Sequence, residues 1–400
     1  MNNSIPIGND FIYVGGNDRR IALFESAYPV PRGVTYNSYL LLDRKTVLFD
    51  TVDRAADEQF FENVECALGG RTLDYLVIHH MEPDHSASFE GIVNRYPNVK
   101  VVLNQKTAVM LKNFFSRPLP ELVIVKEGDE LNTGKHKFRF VFAPMVHWPE
   151  VMLSFDEATG TLFSADAFGT FGALGGSPFA DEVNFEREFL DDARRYYFNI
   201  VGKYGAQVQS VLKKAAELPI KTVCPLHGPI WRKDFGWYLN RYDTWSKYEP
   251  EEKGVAVFYA SIYGHTANAA QILASALAEH GVNRIKVYDV SYTDVSYCLA
   301  EAFRYSHCVF AAPTYNNGVF TSMERLLNDL VAHNYQNRAF SVVENGSWAP
   351  QAGKLMREKL SALKNMREIG TGVTLLSSVK EETKERLLSL AKEIAADIQN

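Results

Sequence analysis

Several side chains that can bind a metal ion lie within one short segment, HHMEPDHSAS, namely His79, His80, Glu82, Asp84 and His85. The apolar run LDYLVI precedes this segment and is typical of a buried strand. Alternate side chains of an extended segment share a face, so His80 and Glu82 should point together, away from His79. Pro83 should end the strand and leave Asp84 and His85 in a loop. Because burying such groups without partners costs several kcal/mol each, the segment predicts a bound metal ion.

Other candidate ligands stand where further apolar strands end. FRFVFAPMVH ends at His147, TLFSAD at Asp166 and KTVCPLH at His227. Any one of these residues alone is more simply read as a satisfied polar group at a strand end. Together, strands that each finish in a ligand-type residue predict a site at one edge of a sheet sandwich.

The combined ligand set predicts two metal ions. It consists of His80, Glu82, Asp84, His85, His147, Asp166 and His227. Imidazole mixed with carboxylate suits iron, manganese or zinc, and the set exceeds what one tetrahedral zinc requires. Asp166, on a separate strand, is the natural bridge. Its carboxylate and those of Glu82 and Asp84 would leave one positive charge on two divalent ions, which a bridging hydroxide would neutralise.

The second half of the chain predicts a different kind of site. SIYGHTAN follows the apolar run GVAVFYA and opens a helical segment, so its hydroxyls and amides could hold a phosphate at a helix N-terminus. PTYNNG and NGSWAP follow two later strands, and Tyr315 and Trp348 could flank a flat ring there. The candidate residues are Ser261, Ile262, Tyr263, Gly264, His265, Thr266, Pro313, Thr314, Tyr315, Asn316, Asn317, Gly318, Asn345, Gly346, Ser347 and Trp348. His265 could assist in the phosphate loop, but an exposed loop histidine is the favoured interpretation. The turn lacks G-x-G-x-x-G and G-x-x-x-x-G-K-[ST], which disfavours a dinucleotide or a nucleoside triphosphate.

The elements that must position these residues differ between the two halves. The first half combines predicted hairpins, YNSYLLL with TVLFDT and VMLSFD with TLFSAD, with helical patterns that include one long run, FEREFLDDARRYYFNIVGKYGAQVQSVLKKAAEL. This mixture predicts a sandwich of sheets covered by helices. In the second half five short apolar strands alternate with helices, which predicts a doubly wound parallel sheet. The charged segment KYEPEEK suggests a boundary, giving domains 1–250 and 251–400.

Composition narrows the class of protein. The chain has 400 residues, 22% charged residues and a formal net charge of -6, which argues against nucleic acid or an acidic lipid surface as the partner. We expect no signal peptide and no membrane span, because neither pattern is present. Four scattered cysteines predict free thiols in a reducing cytoplasm.

The spacing H-x-E-x-D-H, followed by His147, Asp166 and His227, resembles the metallo-β-lactamase-like domain of flavodiiron proteins. Hydrolytic members of that superfamily carry H-x-H-x-D-H, and Glu82 replaces the second histidine of that pattern. A harder, anionic ligand favours iron over zinc. The second-half loops resemble a flavodoxin domain that binds FMN, so the resemblance covers nearly the whole chain. It implies an α/β protein with an N-terminal αββα metallo-β-lactamase-like sandwich and a C-terminal flavodoxin-like, five-stranded parallel sheet.

The resemblance also implies roles for individual residues. His80, Glu82 and His147 would hold one iron, and Asp84, His85 and His227 the other. Asp166 and a hydroxide or oxo group would bridge them. In some members of the family water displaces the histidine that matches His85. Ser261 to Thr266 would hold the FMN phosphate, and the two later loops the isoalloxazine. His79 matches no ligand, and Trp148, Tyr196 and Tyr197 either wall the pocket or belong to the core.

The resemblance implies an oxidoreductase that reduces dioxygen to water, nitric oxide to nitrous oxide, or both, for detoxification. Reduced FMN and two ferrous ions together store the four electrons that one dioxygen needs. We expect electrons to arrive from rubredoxin, with a reduced deazaflavin as the runner-up. We also expect a head-to-tail homodimer, alone or paired as a dimer of dimers, with each FMN facing the partner's irons. A metal-dependent hydrolase with a fused flavodoxin domain and an electron carrier with a vestigial metal site remain as alternatives.

Overall fold

The structure is a computed structural model that describes residues 3–399. The chain forms two compact units, the first ending at Tyr242 and the second beginning at Asp243. This division falls inside the helix Phe235–Ser246. The boundary expected from the sequence, near residue 250, lies in the chain just after that helix.

The strands of the first unit are short, and most are buried on at least one face. They are β1 (Ile5–Gly8), β2 (Phe11–Tyr13), β3 (Gly16–Asp18), β4 (Leu23–Phe24), β5 (Tyr28–Pro29), β6 (Val34–Tyr36), β7 (Tyr39–Leu42), β8 (Thr46–Phe49), β9 (Tyr75–Val77), β10 (Lys100–Asn104), β11 (Leu122–Val125), β12 (Glu130–Asn132), β13 (Lys137–Phe142), β14 (Met152–Asp156), β15 (Thr161–Phe163) and β16 (Thr222–Cys224).

The helices that begin within the first unit connect these strands or follow them. They are α1 (Asp57–Leu68), α2 (Pro83–Ser86), α3 (Phe89–Arg95), α4 (Gln105–Phe114), α5 (Phe185–Glu188), α6 (Leu190–Tyr196), α7 (Gly205–Ala215) and α8 (Phe235–Ser246).

Two sheets of the first unit face each other across an aromatic core. One has the order β1-β2-β7-β8-β9-β10-β11 and the other β12-β13-β14-β15-β16. Phe49 of the first sheet stacks on Phe163 of the second with ring centroids 4.1 Å apart, and Phe138 lies 5.1 Å from Phe49. Both predicted hairpins are present, as β7 with β8 and β14 with β15. The predicted sandwich is therefore confirmed.

The second unit is the predicted parallel sheet. Its strands are β17 (Glu252–Tyr259), β18 (Ile285–Asp289), β19 (Tyr305–Tyr315), β20 (Gly318–Val319), β21 (Ala339–Asn345), β22 (Arg367–Glu368) and β23 (Val373–Leu375). The order is β18-β17-β19-β21, and β22 and β23 both pair with β21 as two pieces of a fifth strand. This is the flavodoxin-like strand order 2-1-3-4-5.

Helices cover both faces of that sheet. They are α9 (His265–Glu279), α10 (Val295–Arg304), α11 (Thr321–Ala332), α12 (Ala352–Ser361) and α13 (Glu381–Gln399). On one face α9 and α13 pack together, and Leu273 and Leu390 join Val257 of the central strand in one buried cluster. The doubly wound arrangement is confirmed.

The long helical run predicted after residue 184 is wrong in one respect, because the structure breaks it into several pieces. Between α6 and α7 the chain forms a π-helical turn, Tyr197–Val201, and then a 3-10 turn, Gly202–Tyr204. Gly202 and Gly205 weaken the helix at this point, and π-turns inside helices are frequent near functional sites. The hydrophobic period alone does not reveal such a break.

A buried histidine ties turns of the two sheets together at the edge where the hairpins β1–β2 and β12–β13 turn. Nδ1 of His136 lies 2.9 Å from Oδ2 of Asp156, and its Nε2 lies 3.3 Å from Oδ2 of Asp10. Burial alone would lower the pKa of His136, but Asp156 and Asp10 raise it. Burial alone would raise the pKa of Asp156, but His136 lowers it.

We predict a pH-dependent loss of stability for His136→Gln. The His136 contribution is complete below its unfolded pKa of about 6.5 and is lost as pH rises through the raised folded pKa. The Asp156 contribution is complete above its unfolded pKa of about 4 and is lost as pH falls through the lowered folded value. Near pH 6 the free energy of unfolding should therefore fall by about 1–3 kcal/mol, with a smaller deficit at pH 9. Urea denaturation at both pH values measures this, with exposed His280→Gln as control, and an equal deficit at both pH values would contradict it.

Candidate functional site

All predicted metal ligands lie in segments that follow the carboxyl ends of strands at one edge of the sandwich. They come after β9, β13, β15 and β16. Each strand ends at least three residues before its first ligand, so the ligands lie in the segments after the strands and not on the strands themselves. Ala165, next to Asp166, has φ of 49°, and Met145, two residues before His147, has φ of 65°. These left-handed conformations aim the ligand side chains and cannot be read from hydrophobic patterns.

One part of the sequence prediction needs correction. Asp84 and His85, expected in a loop, lie in the one-turn helix α2, which begins at Pro83. Proline suits the first position of a helix because its missing N–H is not needed there. The turn brings both side chains inward, and both residues are buried.

His80, Glu82 and His147 converge on Asp166. Nε2 of His147 lies 3.0 Å and Nε2 of His80 lies 3.2 Å from Oε2 of Glu82. The same two nitrogens lie 3.2 Å and 3.3 Å from Oδ2 of Asp166. The four side chains thus place their ligand atoms within 4.8 Å of one another. We call this group the His80 position.

Asp84, His85 and His227 form a second group, which we call the His227 position. Oδ2 of Asp84 lies 3.2 Å from Nε2 of His227 and 3.3 Å from Nε2 of His85. The two imidazole nitrogens face each other at 3.0 Å. Asp166 turns its other oxygen, Oδ1, to this group, 3.3 Å from Nε2 of His85 and 3.7 Å from Nε2 of His227. One carboxylate therefore presents a separate oxygen to each group.

The unsatisfied atoms at this site fit two cations. Both carboxylate oxygens of Asp84 and Oδ1 of Asp166 are buried, and no donor within residues 3–399 meets them with hydrogen-bond geometry. Leaving ionised oxygens buried in this way is costly unless they coordinate a metal. Nitrogen and oxygen ligands with no thiolate match non-haem iron.

The groups around the site keep Nε2 of two histidines directed at the centre. Nδ1 of His80 bonds to Oε1 of Glu150 at 2.8 Å, and Nδ1 of His227 to the carbonyl oxygen of Thr35 at 2.5 Å. A histidine that donates from Nδ1 carries its lone pair on Nε2, which is the form that binds metal. Gly228, next to His227, has φ of 77°, and a Cβ there would overlap the methyl group of Thr170.

Neighbouring residues outside the ligand set agree with the sequence interpretation. His79 is fully engaged, with Nδ1 2.5 Å from Oδ2 of Asp50 and Nε2 2.7 Å from Oγ of Ser154. Trp148 packs edge-on against His80 at 5.2 Å. The ring of Tyr196 lies 5.5 Å from His227, so this tyrosine walls the site.

Two carboxyl groups at the site were missed in the sequence. Glu150 is buried behind His80, three residues after His147. Glu25 lies on an exposed turn with φ of 50°. Although the residue as a whole is exposed, desolvation of its carboxyl group and the charge of Glu82 raise the pKa of Glu25 to about 8. The position of Glu150 next to a ligand segment was a usable signal, whereas nothing in the sequence near Glu25 points to the site.

The three loops predicted in the second unit meet around one cavity of about 330 Å³. The chain leaves β17 through Ser261, whose Oγ accepts the N–H of Gly264 at 3.0 Å. Gly264 has φ of 90°, caps α9 without a side-chain bond among the described residues, and has open space where a Cβ would stand. The first amides of α9 are therefore available for a phosphate.

Most of the predicted loop residues line this cavity, and a few do not. The predicted lining residues are Ser261, Ile262, Tyr263, His265, Thr266, Pro313, Thr314, Asn316, Asn317, Asn345, Gly346, Ser347 and Trp348. Gly264, Tyr315 and Gly318 lie in the same loops but are not among the lining residues. Ala349 and Ser377 line it and were missed; Ser377 follows the fifth strand, where the rule of carboxyl-end binding would have pointed. Trp348 lines the cavity and is 91% exposed, so a face of its ring is accessible.

Within residues 3–399, no helix combines the length and apolar character needed to cross a membrane.

Comparisons with known proteins match both units. The family described as "ODP family beta lactamase" matches residues 34–228, and the family described as "Flavodoxin" matches residues 257–388. A protein named nitric oxide reductase from Moorella thermoacetica is 31% identical over 401 residues, covering 100% of both chains. An anaerobic nitric oxide reductase flavorubredoxin from Vibrio vulnificus is 27% identical, over 95% of this chain and 81% of its own.

Solved structures show the same architecture. Rubredoxin oxygen:oxidoreductase from Desulfovibrio gigas superposes with a TM-score of 0.93 at 25% identity, covering 99% of each chain. The flavodiiron protein from Giardia intestinalis gives 0.94 at 23% identity, covering 100% of this chain and 97% of its own, and supports the fold.

We predict that metal binding at this site releases protons at neutral pH. Burial alone would lower the pKa of His147, but Asp166 and Glu82 raise it to about 9. In the metal-free protein His147 is therefore protonated at pH 7, and a metal must displace that proton. Metal affinity should rise with pH up to about 9.

Calorimetric titration with Fe²⁺ in two anaerobic buffers of different ionisation enthalpy measures the protons released. His147→Asn should release fewer protons than the unaltered chain. Equal release by both proteins, or an affinity that does not change between pH 7 and 9, would contradict this prediction.

Proposed function

The chain belongs to the flavodiiron protein family, and we propose that it passes electrons from an external donor through FMN to a two-iron centre that reduces dioxygen to water and nitric oxide to nitrous oxide. The balanced reactions are O₂ + 4 H⁺ + 4 e⁻ → 2 H₂O and 2 NO + 2 H⁺ + 2 e⁻ → N₂O + H₂O. The protein is thus an oxidoreductase whose cofactors are FMN and two iron ions.

The observation that carries the proposal is the position of Asp166 between two ligand groups. Its Oδ2 faces the His80 position and its Oδ1 faces the His227 position. A carboxylate shared in this way sets the spacing of two metal ions. Glu82, which stands where hydrolytic members of the superfamily have histidine, supplies a harder ligand that favours iron.

The residues of this chain hold and shape the reaction site. The bound irons supply redox chemistry and a place for a diatomic gas, while the protein fixes their geometry. His80, which follows β9, and His147, which follows β13, both direct Nε2 toward Glu82. Trp148 and Tyr196 form walls of the site. The buried hydroxyl of Tyr196 has no hydrogen-bond partner among the residues described, so it is available to a ligand at the site.

The FMN residues are assigned by their place around the second-unit cavity. The turn Ser261–Thr266 and the N-terminus of α9 would hold the phosphate. The loops with Asn316 and Trp348 would border the isoalloxazine. Asn345 connects two of the segments that line the cavity, because its side-chain amide donates a hydrogen bond to the carbonyl oxygen of Ser377 at 2.9 Å.

The proposed partners are inferred from the family and from the names of similar proteins. The name of the Desulfovibrio gigas protein supports rubredoxin as the electron donor, with a reduced deazaflavin as the alternative. A head-to-tail homodimer, or a pair of such dimers, would bring each FMN to the iron centre of the partner subunit. Free cysteines, of which Cys224, Cys298 and Cys308 are buried, support a reducing cytoplasmic setting.

The two alternatives from the sequence are disfavoured. A metal-dependent hydrolase does not account for Glu82 or for relatives named nitric oxide reductase. A carrier with a vestigial metal site does not account for an intact, converging ligand set. Metal analysis that finds two zinc ions and no iron per chain would restore the hydrolase.

Turnover measurements test the proposed function directly. The iron- and FMN-loaded protein, supplied anaerobically with chemically reduced rubredoxin, should consume dioxygen without releasing peroxide, or nitric oxide with release of nitrous oxide. Parallel assays with the two gases give their relative rates. Consumption of neither gas would contradict the proposal.

Two substitutions should separate the two cofactor sites. Asp166→Ala should remove metal and gas reduction but leave FMN bound, because it deletes the shared ligand. Trp348→Ala should weaken FMN binding several-fold, since aromatic stacking contributes about 0.5–1.5 kcal/mol, and leave iron content unchanged. Iron analysis and flavin fluorescence measure these outcomes. If each variant lost both cofactors equally, the assignment of separate sites would be wrong.

A further inference from the structure

The two metal positions differ in the group that accepts a hydrogen bond from Nδ1 of their histidines. At the His80 position, Nδ1 of His80 bonds to the carboxylate of Glu150 at 2.8 Å. At the His227 position, Nδ1 of His227 bonds to the neutral carbonyl oxygen of Thr35. Nδ1 of His85 is buried and, in the part of the chain that the structure describes, has no hydrogen-bond partner. Among residues 3–399, therefore, a carboxylate accepts a hydrogen bond from a ligand histidine's Nδ1 at the His80 position and not from His85 or His227.

Hydrogen bonds to Oε1 and to the main-chain carbonyl hold Glu150 in this place, while its Oε2 is buried with no hydrogen-bond partner among residues 3–399. Its Oε1 also accepts the N–H of Met81 at 2.9 Å, so one oxygen holds both the ligand and the residue after it. The main-chain carbonyl of Glu150 accepts the side-chain amide of Asn104 at 2.5 Å. Asn104 in turn caps α4, with its Oδ1 accepting the N–H groups of Lys106 and Thr107. The side chains of Glu150 and His80 are both completely buried.

We infer that Glu150 is a positioning residue that orients His80 and makes the two metal positions unequal, so that the His80 position binds a divalent metal ion more tightly and fills first. The inference rests on the proposed two-metal centre and adds the order in which its two positions bind metal ions. Glu150 touches neither metal nor substrate and acts through His80.

The physical reason lies in the basicity of the ligand nitrogen. A carboxylate that accepts a hydrogen bond from Nδ1 pulls the proton toward itself and enriches electron density on Nε2. It also fixes the tautomer and the ring orientation, which lowers the entropy lost on metal binding. Removing such a partner typically costs 10- to 100-fold in metal affinity. A carbonyl acceptor gives a weaker form of this effect, and an unpaired Nδ1 gives none.

Titration of the metal-free, full-length chain with Co²⁺ tests the inference, because bound cobalt is visible spectroscopically and needs no turnover. We expect two equivalents to bind in two steps. His227→Asn should abolish the weaker step and keep the tighter one. Glu150→Gln should weaken the tighter step 10- to 100-fold and leave the weaker step unchanged. Glu150→Asp, which keeps the carboxylate on a shorter stem, should lie between Glu150→Gln and the unaltered chain.

The matched control is Asp156→Asn, which breaks another buried carboxylate–histidine pair of this unit, Asp156 with His136, away from the metal ligands. It should lower the free energy of unfolding and leave both cobalt steps in place.

A redox titration of the iron-loaded protein, followed by electron paramagnetic resonance, separates positioning from mere structural support. Glu150→Gln should make one iron easier to reduce, and Asp156→Asn should change neither potential.

The outcomes are distinct. If Glu150→Gln leaves the first cobalt step unchanged, or weakens both steps equally as a general loss of structure would, the inference is overturned while the two-metal centre stands. If Glu150→Gln does not fold, an unchanged first step in Glu150→Asp overturns it. If the unaltered chain binds no cobalt, the proposed metal centre itself fails.

Discussion

The structure of the first unit depends on burying several carboxylates and imidazoles at one edge of an otherwise apolar sandwich. Glu82, Asp84 and Asp166 cannot share this space as free anions, because their repulsion and lost hydration would exceed the stability of the domain. In the metal-free protein Asp166 and Glu82 raise the pKa of His147, and the neighbouring histidines His80 and His147 lower the pKa of Asp166. Two cations satisfy the same carboxylates more completely. The site is thus a place built for positive charge, and protons and metal ions compete for it.

The fold can carry this polar edge because its apolar core is formed elsewhere. The two sheets are held together by stacked aromatic rings such as Phe49 on Phe163, so the turns that carry the ligands need not contribute to the core. Those turns can then adopt the left-handed backbone at Ala165 and at Gly228, where a Cβ would overlap Thr170. The second unit follows the same principle: its apolar sheet leaves the loops after the strands open for the flavin.

Much of the fold and of the metal site could be predicted from the sequence, because the ligands are strongly polar residues that follow apolar strands. His80, His147, Asp166 and His227 are recognisable in that way, and the converging geometry places them together. Side chains that act from a second layer are harder to find. Glu150 resembles any loop glutamate until its hydrogen bond to His80 is seen, and Glu25 reaches the site from a distant turn. The break between α6 and α7 and the one-turn helix α2 are also set by tertiary packing, which local periodicity does not encode.

The central proposal is that Asp166, which turns one carboxylate oxygen to each ligand group, would be shared by two irons. Crystals of the iron-loaded protein, measured on both sides of the iron absorption edge, test it most directly. The account predicts two anomalous peaks, one beside Oδ2 of Asp166 within the His80 position and one beside Oδ1 within the His227 position. A single peak, or two peaks that appear at the zinc edge and vanish at the iron edge, would contradict it.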